Sequence, residues 1–229
     1  MKFPTYKHET QKQVEGFRFI AGCDEVGIAP LAGPVVAASV ILDEVSIGKQ
    51  RSKSKWWYRV RDSKTTNEKE RAELVEFIKD HSVDFAVGIV DRETIDEINI
   101  HQAAMLAMKK SVEGLRIIPD FLFLDGIHTI KNLPVAQAAV IDGDEKILSI
   151  SAASIIAKVA RDQVLTKLHN QFPLFGFDKH KGYPTKFHKI ALQKYGVTPE
   201  HRTSFGFVRL CLQRCQSLSY FQKSFLAVK

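Results

Sequence analysis

Cysteine is scarce: Cys23, Cys211 and Cys215 are the only three in 229 residues. So small and odd a number in a chain this long argues against a secreted disulfide framework and for a reducing compartment. Cys211 and Cys215 stand one helical turn apart with no matching Cys or His pair nearby, so buried thiols are expected there rather than a zinc site. Long apolar runs are missing too. The longest, residues 30–42, is broken by Gly33 and Pro34 and falls short of the ~20 residues a membrane helix needs. The opening MKFPTYKHETQKQ holds no apolar stretch of the signal-peptide kind. No membrane association and a cytoplasmic location are therefore expected. Internal repeats and low-complexity linkers are absent. So are a GxxxxGK[ST] phosphate loop, an HExxH helix, a GxSxG elbow and a GxGxxG dinucleotide fingerprint, which removes the chemistries those motifs serve.

What is present suits a soluble globular protein: 45% hydrophobic and 26% charged residues, enough for one large domain or one domain with an appendage. Lys and Arg number 33 against 26 Asp and Glu, a net charge of +7 that makes a polyanion the leading partner. Charge alone names no reaction.

Periodicity divides the chain into alternating elements. FRFIAGCDE and GPVVAASVIL read as neighbouring central strands, the second buried on both faces by composition. Residues 46–64 are polar and basic around Trp56, Trp57 and Tyr58, which suits a solvated loop with an aromatic anchor or a charged loop beside a phosphate backbone. The spacing of Thr65 and Glu68 predicts a capping box opening a helix to about Lys79, with Leu74, Val75 and Ile78 on its apolar face. VDFAVGIV is a third strand, and DRETIDEINIHQAAMLAMKKSVEGL reads as one helix stopped at Gly114. FLFLDG and VAQAAVID follow as strands, then SISAASIIAKVARDQVLTKLHNQF as a long Ala-rich helix with Ile155, Ile156, Val159 and Leu165 in the core. Beyond Phe172 come Pro, Gly and aromatics, then short helical patterns and a last amphipathic stretch over residues 207–228. The class is α/β, a mixed sheet flanked by helices with a helical C-terminal portion. Residues 1–16 form an N-terminal extension, 17–172 the main domain, and 173–229 a C-terminal loop and helices.

Acids stand at the ends of these strands: Asp24 and Glu25 after the first, Asp125 after the fourth, Asp144 just past the fifth. Hard divalent cations such as Mg²⁺ or Mn²⁺ take oxygen ligands, and a phosphodiester-cleaving centre with two ions ~3.5 to 4 Å apart needs carboxylates from several elements. Taken singly, each acid is as readily a cap or turn residue. Neighbours on a strand point to opposite faces, so Asp24 and Glu25 can share a site only if the backbone bends there, and Gly27 makes a bend plausible. Ser154 and Lys158 on the long helix read as packing and a surface charge rather than a nucleophile pair. For His180, His188 and His201, in a basic region, solvated and catalytic roles both stay open.

GCDEVGIAPLAGPVVAASVIL resembles the first signature of the ribonuclease HII (type 2 ribonuclease H) family, and the likeness continues in order. Asp62, Ser63 and Lys64 resemble its DSK element; AVGIV, DEINI and AAMLAMKKSVEGL its middle third; FLFLDG the segment of its third acid. GDEKILSISAASIIAKVARD resembles the fourth-acid segment and long helix, and HKGYPTKFH the substrate-reading tyrosine segment. The resemblance implies a ribonuclease-H-like fold. It also implies a two-metal endonuclease, using Mg²⁺ or Mn²⁺, that cuts the RNA strand of RNA/DNA hybrids and cuts 5′ to ribonucleotides embedded in duplex DNA, leaving 5′-phosphate and 3′-hydroxyl ends. Asp24, Glu25, Asp125 and Asp144 then match the family's four metal-holding catalytic carboxylates, while Asp142 and Asp162 are near misses. Tyr183 matches the tyrosine that stacks on the deoxyribonucleotide after the ribonucleotide, and Lys64, Lys181 and Lys186 become phosphate contacts. The protein is expected to act as a monomer.

One element departs from the family. Gly27, Ile28 and Ala29 stand where the resemblance calls for Gly, Arg or Lys, then Gly, the element that approaches the ribose 2′ hydroxyl. A cation is replaced by a β-branched apolar group, and a glycine gains a Cβ that penalises positive φ. Cleavage at a lone ribonucleotide is therefore expected to be weaker than cleavage of a long hybrid. Pro184, in GYPT where the family more often has GYGT, is a milder change that stiffens the loop of Tyr183. A rival reading keeps the fold and basic face but makes the chain a non-catalytic or weakly active hybrid-duplex binder. Four converging carboxylates argue against it, because without cations they repel one another and the nucleic acid. Ribonuclease HIII is disfavoured because the sixteen or so residues before Phe17 leave no room for its usual N-terminal domain.

Overall fold

Five strands form one mixed sheet in the order β3-β2-β1-β4-β5, in a computed structural model that describes residues 3–44, 59, 60 and 67–214. β1 (Ile20–Val26) lies at the centre, antiparallel to β2 (Val35–Leu42) and parallel to β4 (Phe121–Asp125). β3 (Ser82–Val90) closes one edge antiparallel to β2, and β5 (Ala136–Val140) the other, parallel to β4. Every residue of β2 is buried, as its run of Val, Ala, Ile and Leu, interrupted only by Ser39, demands of a strand covered on both faces. All five strands read from the sequence are present.

The helices among the described residues include α1 (Lys7–Val14), α2 (Glu68–Asp80), α3 (Arg92–Ile98), α4 (Ile100–Glu113), α5 (Leu148–Gln171), α6 (Phe177–His180) and α7 (Lys186–Tyr195), and residues 206–214 are helical as well. Two expectations are corrected. The cap of α2 is Asn67, whose side chain accepts from the Glu70 N–H at 2.9 Å, and Thr65 lies outside the described residues. The single helix expected over residues 91–114 is two, because Asn99 takes a φ of 69° and its Oδ1 accepts from the N–H groups of His101 and Gln102. Asn99 thus ends one helix and caps the next, a double role that an uninterrupted apolar periodicity conceals.

The chain resolves into two compact units drawn from separate stretches of sequence. The first comprises Met1–Val26, Val35–Val90 and Ala104–Arg161; the second, Gly27–Pro34, Asp91–Ala103 and Asp162–Lys229. The second unit is therefore not the C-terminal segment alone.

In the first unit, one face of the sheet packs Ala38, Val40 and Leu42 on Leu74 and Ile78 of α2 and on Leu148, Ala152 and Ile155 of α5. The start of α5 crosses β1 at Gly22, where a Cβ would stand 2.3 Å from the backbone of Ser149 and Ile150. Only glycine allows that crossing. The N-terminal segment braces the same point: Thr5 bridges Ile147, and Glu9 Oε1 accepts from the Ser149 N–H at 2.9 Å.

The second unit has its own core, in which Leu31 and Ala32 meet Leu165, Phe175, Phe177, Leu192 and Val208. Among the described residues no helix is long and apolar enough to cross a membrane. Cys23 and Cys211 are buried, while Cys215 lies outside the described residues.

Candidate active site

The parallel register of β1 and β4 pairs Cys23 with Leu124, so the next residues, Asp24 and Asp125, are neighbours on adjacent strands: Asp125 ends β4, whereas Asp24 and Glu25, expected just past the first strand, lie inside β1. Asp24 is buried and Asp125 half-buried. After β5 the chain turns through Asp142, at φ 52°, into a 3-10 turn at Gly143–Glu145 that carries a buried Asp144. Asp125 Oδ1 accepts from the Gly143 N–H at 2.7 Å, which ties the end of β4 to this turn. A Cβ on residue 143 would lie 3.3 Å from that oxygen and 2.6 Å from Ile150 Cδ1, so the turn is built around a glycine.

Four acids from three elements meet electrostatically. Burial, and then the negative charges of Glu25, Asp125 and Asp144, hold the Asp24 carboxyl well above the usual carboxylate range, against a hydrogen bond from Ser154. The bend expected between Asp24 and Glu25 is absent: β1 stays in register with β2 as Asp24↔Ala38, Glu25↔Ala37 and Val26↔Val36. Glu25 is the more exposed of the pair, and its charge acts on Asp24 across an unbroken strand. The backbone turns one step later, at Gly27 with φ 106°. As the side chains stand, no group of three or more His, Cys, Asp or Glu among the described residues closes into a coordination set.

The residues expected to touch substrate, Lys64 apart, fall in the second unit. Lys181 and Gly182 are both left-handed, with φ of 49° and 82°, and they swing the chain so that Tyr183 is exposed. A Cβ at Gly182 would stand 2.7 Å from the Ala32 carbonyl oxygen, and the Gly182 carbonyl accepts from the Leu31 N–H at 2.8 Å. Lys181 Nζ reaches Thr166 Oγ1 at 3.4 Å, and Lys186 is exposed in the first turn of α7. Thr185 caps that helix, accepting from the His188 N–H. Lys64 lies outside the described residues. In the atypical element Gly27 alone has positive φ; Ile28 is half-buried and Ala29 exposed, neither in the left-handed region. The backbone penalty expected for Ala29 is therefore not incurred.

The family model described as Ribonuclease HII matches residues 21–210. The chain belongs to the ribonuclease HII family. It is 48% identical over 191 residues to a ribonuclease HII of Caldicellulosiruptor bescii, covering 83% of this chain and 88% of that one. To the ribonuclease HII of Vibrio parahaemolyticus it is 46% identical over 198 residues, covering 86% and 89%. The crystal structure of ribonuclease H2 from Pyrococcus horikoshii OT3 superposes with a TM-score of 0.72 at 28% identity, covering 86% of this chain and 98% of that chain. As a member of that family, the protein is a ribonuclease H endonuclease that acts on RNA/DNA hybrids.

Sequence reasoning missed two groups. Ser154, read as packing, is a hydrogen-bond partner of Asp24. Its place on a Ala-rich helix gave no sign of this, since only the fold brings α5 across β1. The three histidines are not solvated: His188 and His201 are fully buried and His180 is half-buried. Burial pushes His188 down to about 4, and burial together with His188 pushes His201 down to about 3, so both are neutral near pH 7. His188 Nδ1 bonds the Tyr183 carbonyl, and His180 Nδ1 accepts from the neighbouring Gly182 N–H.

Proposed function

We propose that this protein hydrolyses phosphodiesters 5′ to ribonucleotides, in hybrids and in duplex DNA, with Asp24, Glu25, Asp125 and Asp144 as its catalytic and metal-holding residues. The observation that carries the proposal is the charge of three further carboxylates felt at a buried Asp24. Such a cluster favours a cation. The donor set is all carboxylate oxygen, which suits Mg²⁺ or Mn²⁺ rather than a thiolate- or imidazole-seeking metal. Two such ions, when bound, supply the positive charge that makes water nucleophilic and steadies the departing 3′ oxygen.

The chain's own groups set the geometry. The Gly143 N–H fixes one oxygen of Asp125, and Ser154 hydrogen-bonds Asp24, so neither carboxylate is free to rotate at random. No side chain is called on to form a covalent bond to phosphorus, and the products carry 5′-phosphate and 3′-hydroxyl ends. Tyr183 offers an exposed ring to a sugar that lacks a 2′ hydroxyl. Lys64, Lys181 and Lys186 supply affinity and salt dependence with little sequence preference. Gly27, Ile28 and Ala29 present backbone to the 2′ hydroxyl without the cation expected there, so a single embedded ribonucleotide is cut less well than a continuous hybrid.

The test is a metal titration of hybrid cleavage with Asp125→Asn alongside. Cleavage should rise with added Mg²⁺ or Mn²⁺ and vanish in the variant, while duplex binding is largely kept. Metal-independent cleavage, or a fully active variant, would overturn the assignment.

A further inference from the structure

Within the second unit, one run of hydrogen bonds leads to Tyr183 and a second, starting from the adjoining residue, leads to Ile28. The Thr198 N–H can only donate, and it donates to His201 Nδ1 at 2.9 Å. His201 therefore carries its proton on Nε2 and donates to His188 Nε2 at 3.0 Å. That leaves the His188 proton on Nδ1, from which it donates to the Tyr183 carbonyl at 2.9 Å. The order of donors is set from one end to the other. Arg202, fully buried, sends its guanidinium the other way: Nε to the Gly33 carbonyl at 2.9 Å, one terminal nitrogen to Ile28 at 3.0 Å, the other to Pro34 at 3.1 Å. Between the two loops, the Leu31 N–H donates to Gly182 and the Arg202 N–H to Leu31.

We infer that His188, His201 and Arg202 are positioning residues that hold Tyr183 and the Gly27–Ala29 loop as one preassembled sugar-reading surface, and so govern selectivity for a ribonucleotide followed by deoxyribonucleotide. The inference rests on the reading of Tyr183 given above. Its physical basis is cost. Three fully buried polar side chains, one of them a permanent cation, are expensive in an apolar core unless their partners hold them. For His188 and Arg202 those partners include backbone carbonyls of the two loops, and His201 ties His188 back to Thr198. A uniform hybrid offers many equivalent registers and tolerates a loosened surface; a single ribonucleotide offers one register and does not.

The experiment is steady-state cleavage of two duplexes, a uniform RNA/DNA hybrid and a DNA duplex with one ribonucleotide, at matched salt and metal. His188→Phe keeps the ring and removes both nitrogens; Thr198→Val is the gentler variant, removing only the hydroxyl 2.9 Å from His201 Nδ1. Both are tested alone and with Tyr183→Ala. His188→Phe should raise KM for the single-ribonucleotide duplex at least tenfold while kcat on the hybrid changes less than twofold, with Thr198→Val following in smaller measure. Combined with Tyr183→Ala, neither should add a further loss. Equal losses on both substrates, or losses that multiply with that of Tyr183→Ala, would overturn the positioning role and leave the reading of Tyr183 intact. Tyr183→Ala without effect on the single-ribonucleotide duplex would overturn both. If His188→Phe fails to fold, Thr198→Val decides by the same outcomes.

Discussion

The N–H of Gly143 donates to Asp125 Oδ1 at 2.7 Å, so the third acid of the site is oriented by the turn that carries the fourth. An added methyl at residue 143 meets the flexible tip of Ile150 at 2.6 Å and crowds that oxygen at 3.3 Å. Gly143→Ala should therefore fold with a loss of about 1–3 kcal/mol, the usual scale of overpacking, and lose catalytic rate beyond that. The contrast is Gly22→Ala, whose methyl would meet backbone of Ser149 and Ile150 at 2.3 Å, where nothing flexible can yield. That variant should not accumulate as folded protein. Denaturant melts of the two, with hybrid cleavage for Gly143→Ala, check both expectations.

Asp24 is buried among the charges of Glu25, Asp125 and Asp144. Replacing it with Asn removes one member of a repelling set while keeping shape and a hydrogen-bonding side chain. Asp24→Asn should melt at a higher temperature than the parent without divalent cation and yet be inactive. Added Mg²⁺ should narrow the gap by stabilising the parent more, since a ligand that binds only the folded form raises its stability. Paired thermal melts with and without Mg²⁺ decide this.

Glu9 is fully buried at the start of α5, and burial raises its carboxyl from 4.5 to about 7. The folded form then keeps a proton that the unfolded chain releases between those values. Stability attached to this group is full below about pH 4.5, falls as pH rises, and levels off above about 7, a change on the order of 3 kcal/mol. Glu9→Gln, which can still accept from the Ser149 N–H, should flatten that part of the profile and be the more stable form at pH 8. Urea melts across pH 5 to 8 give the comparison.

Much of the fold was legible because the strands are short apolar runs bounded by polar turns and β2 is buried along its whole length. Asp125 was legible for the same reason, since a carboxylate closing an apolar strand stands out, whereas Asp24 and Glu25, expected just past the first strand, lie inside β1. What escaped is non-local. Asn99 divides a helix whose apolar spacing runs on unbroken, because a single Asn at positive φ leaves no mark on periodicity. Ser154 reaches Asp24, and His188 the Tyr183 carbonyl, through partners that the sequence keeps far apart or hides in a loop. The bend expected at Asp24 and Glu25 came from requiring both side chains to face one way; charge acts across the strand without it.

The central claim is tested most directly by mapping the products from a DNA duplex containing one ribonucleotide, beside a uniform hybrid, under matched salt and Mg²⁺. The account predicts a single cut 5′ to the ribonucleotide, with 3′-hydroxyl and 5′-phosphate ends, slower than hybrid cleavage and accelerated by Ile28→Arg with Ala29→Gly. A cut on the 3′ side, cyclic-phosphate ends, or equal rates on the two duplexes for the parent would contradict it.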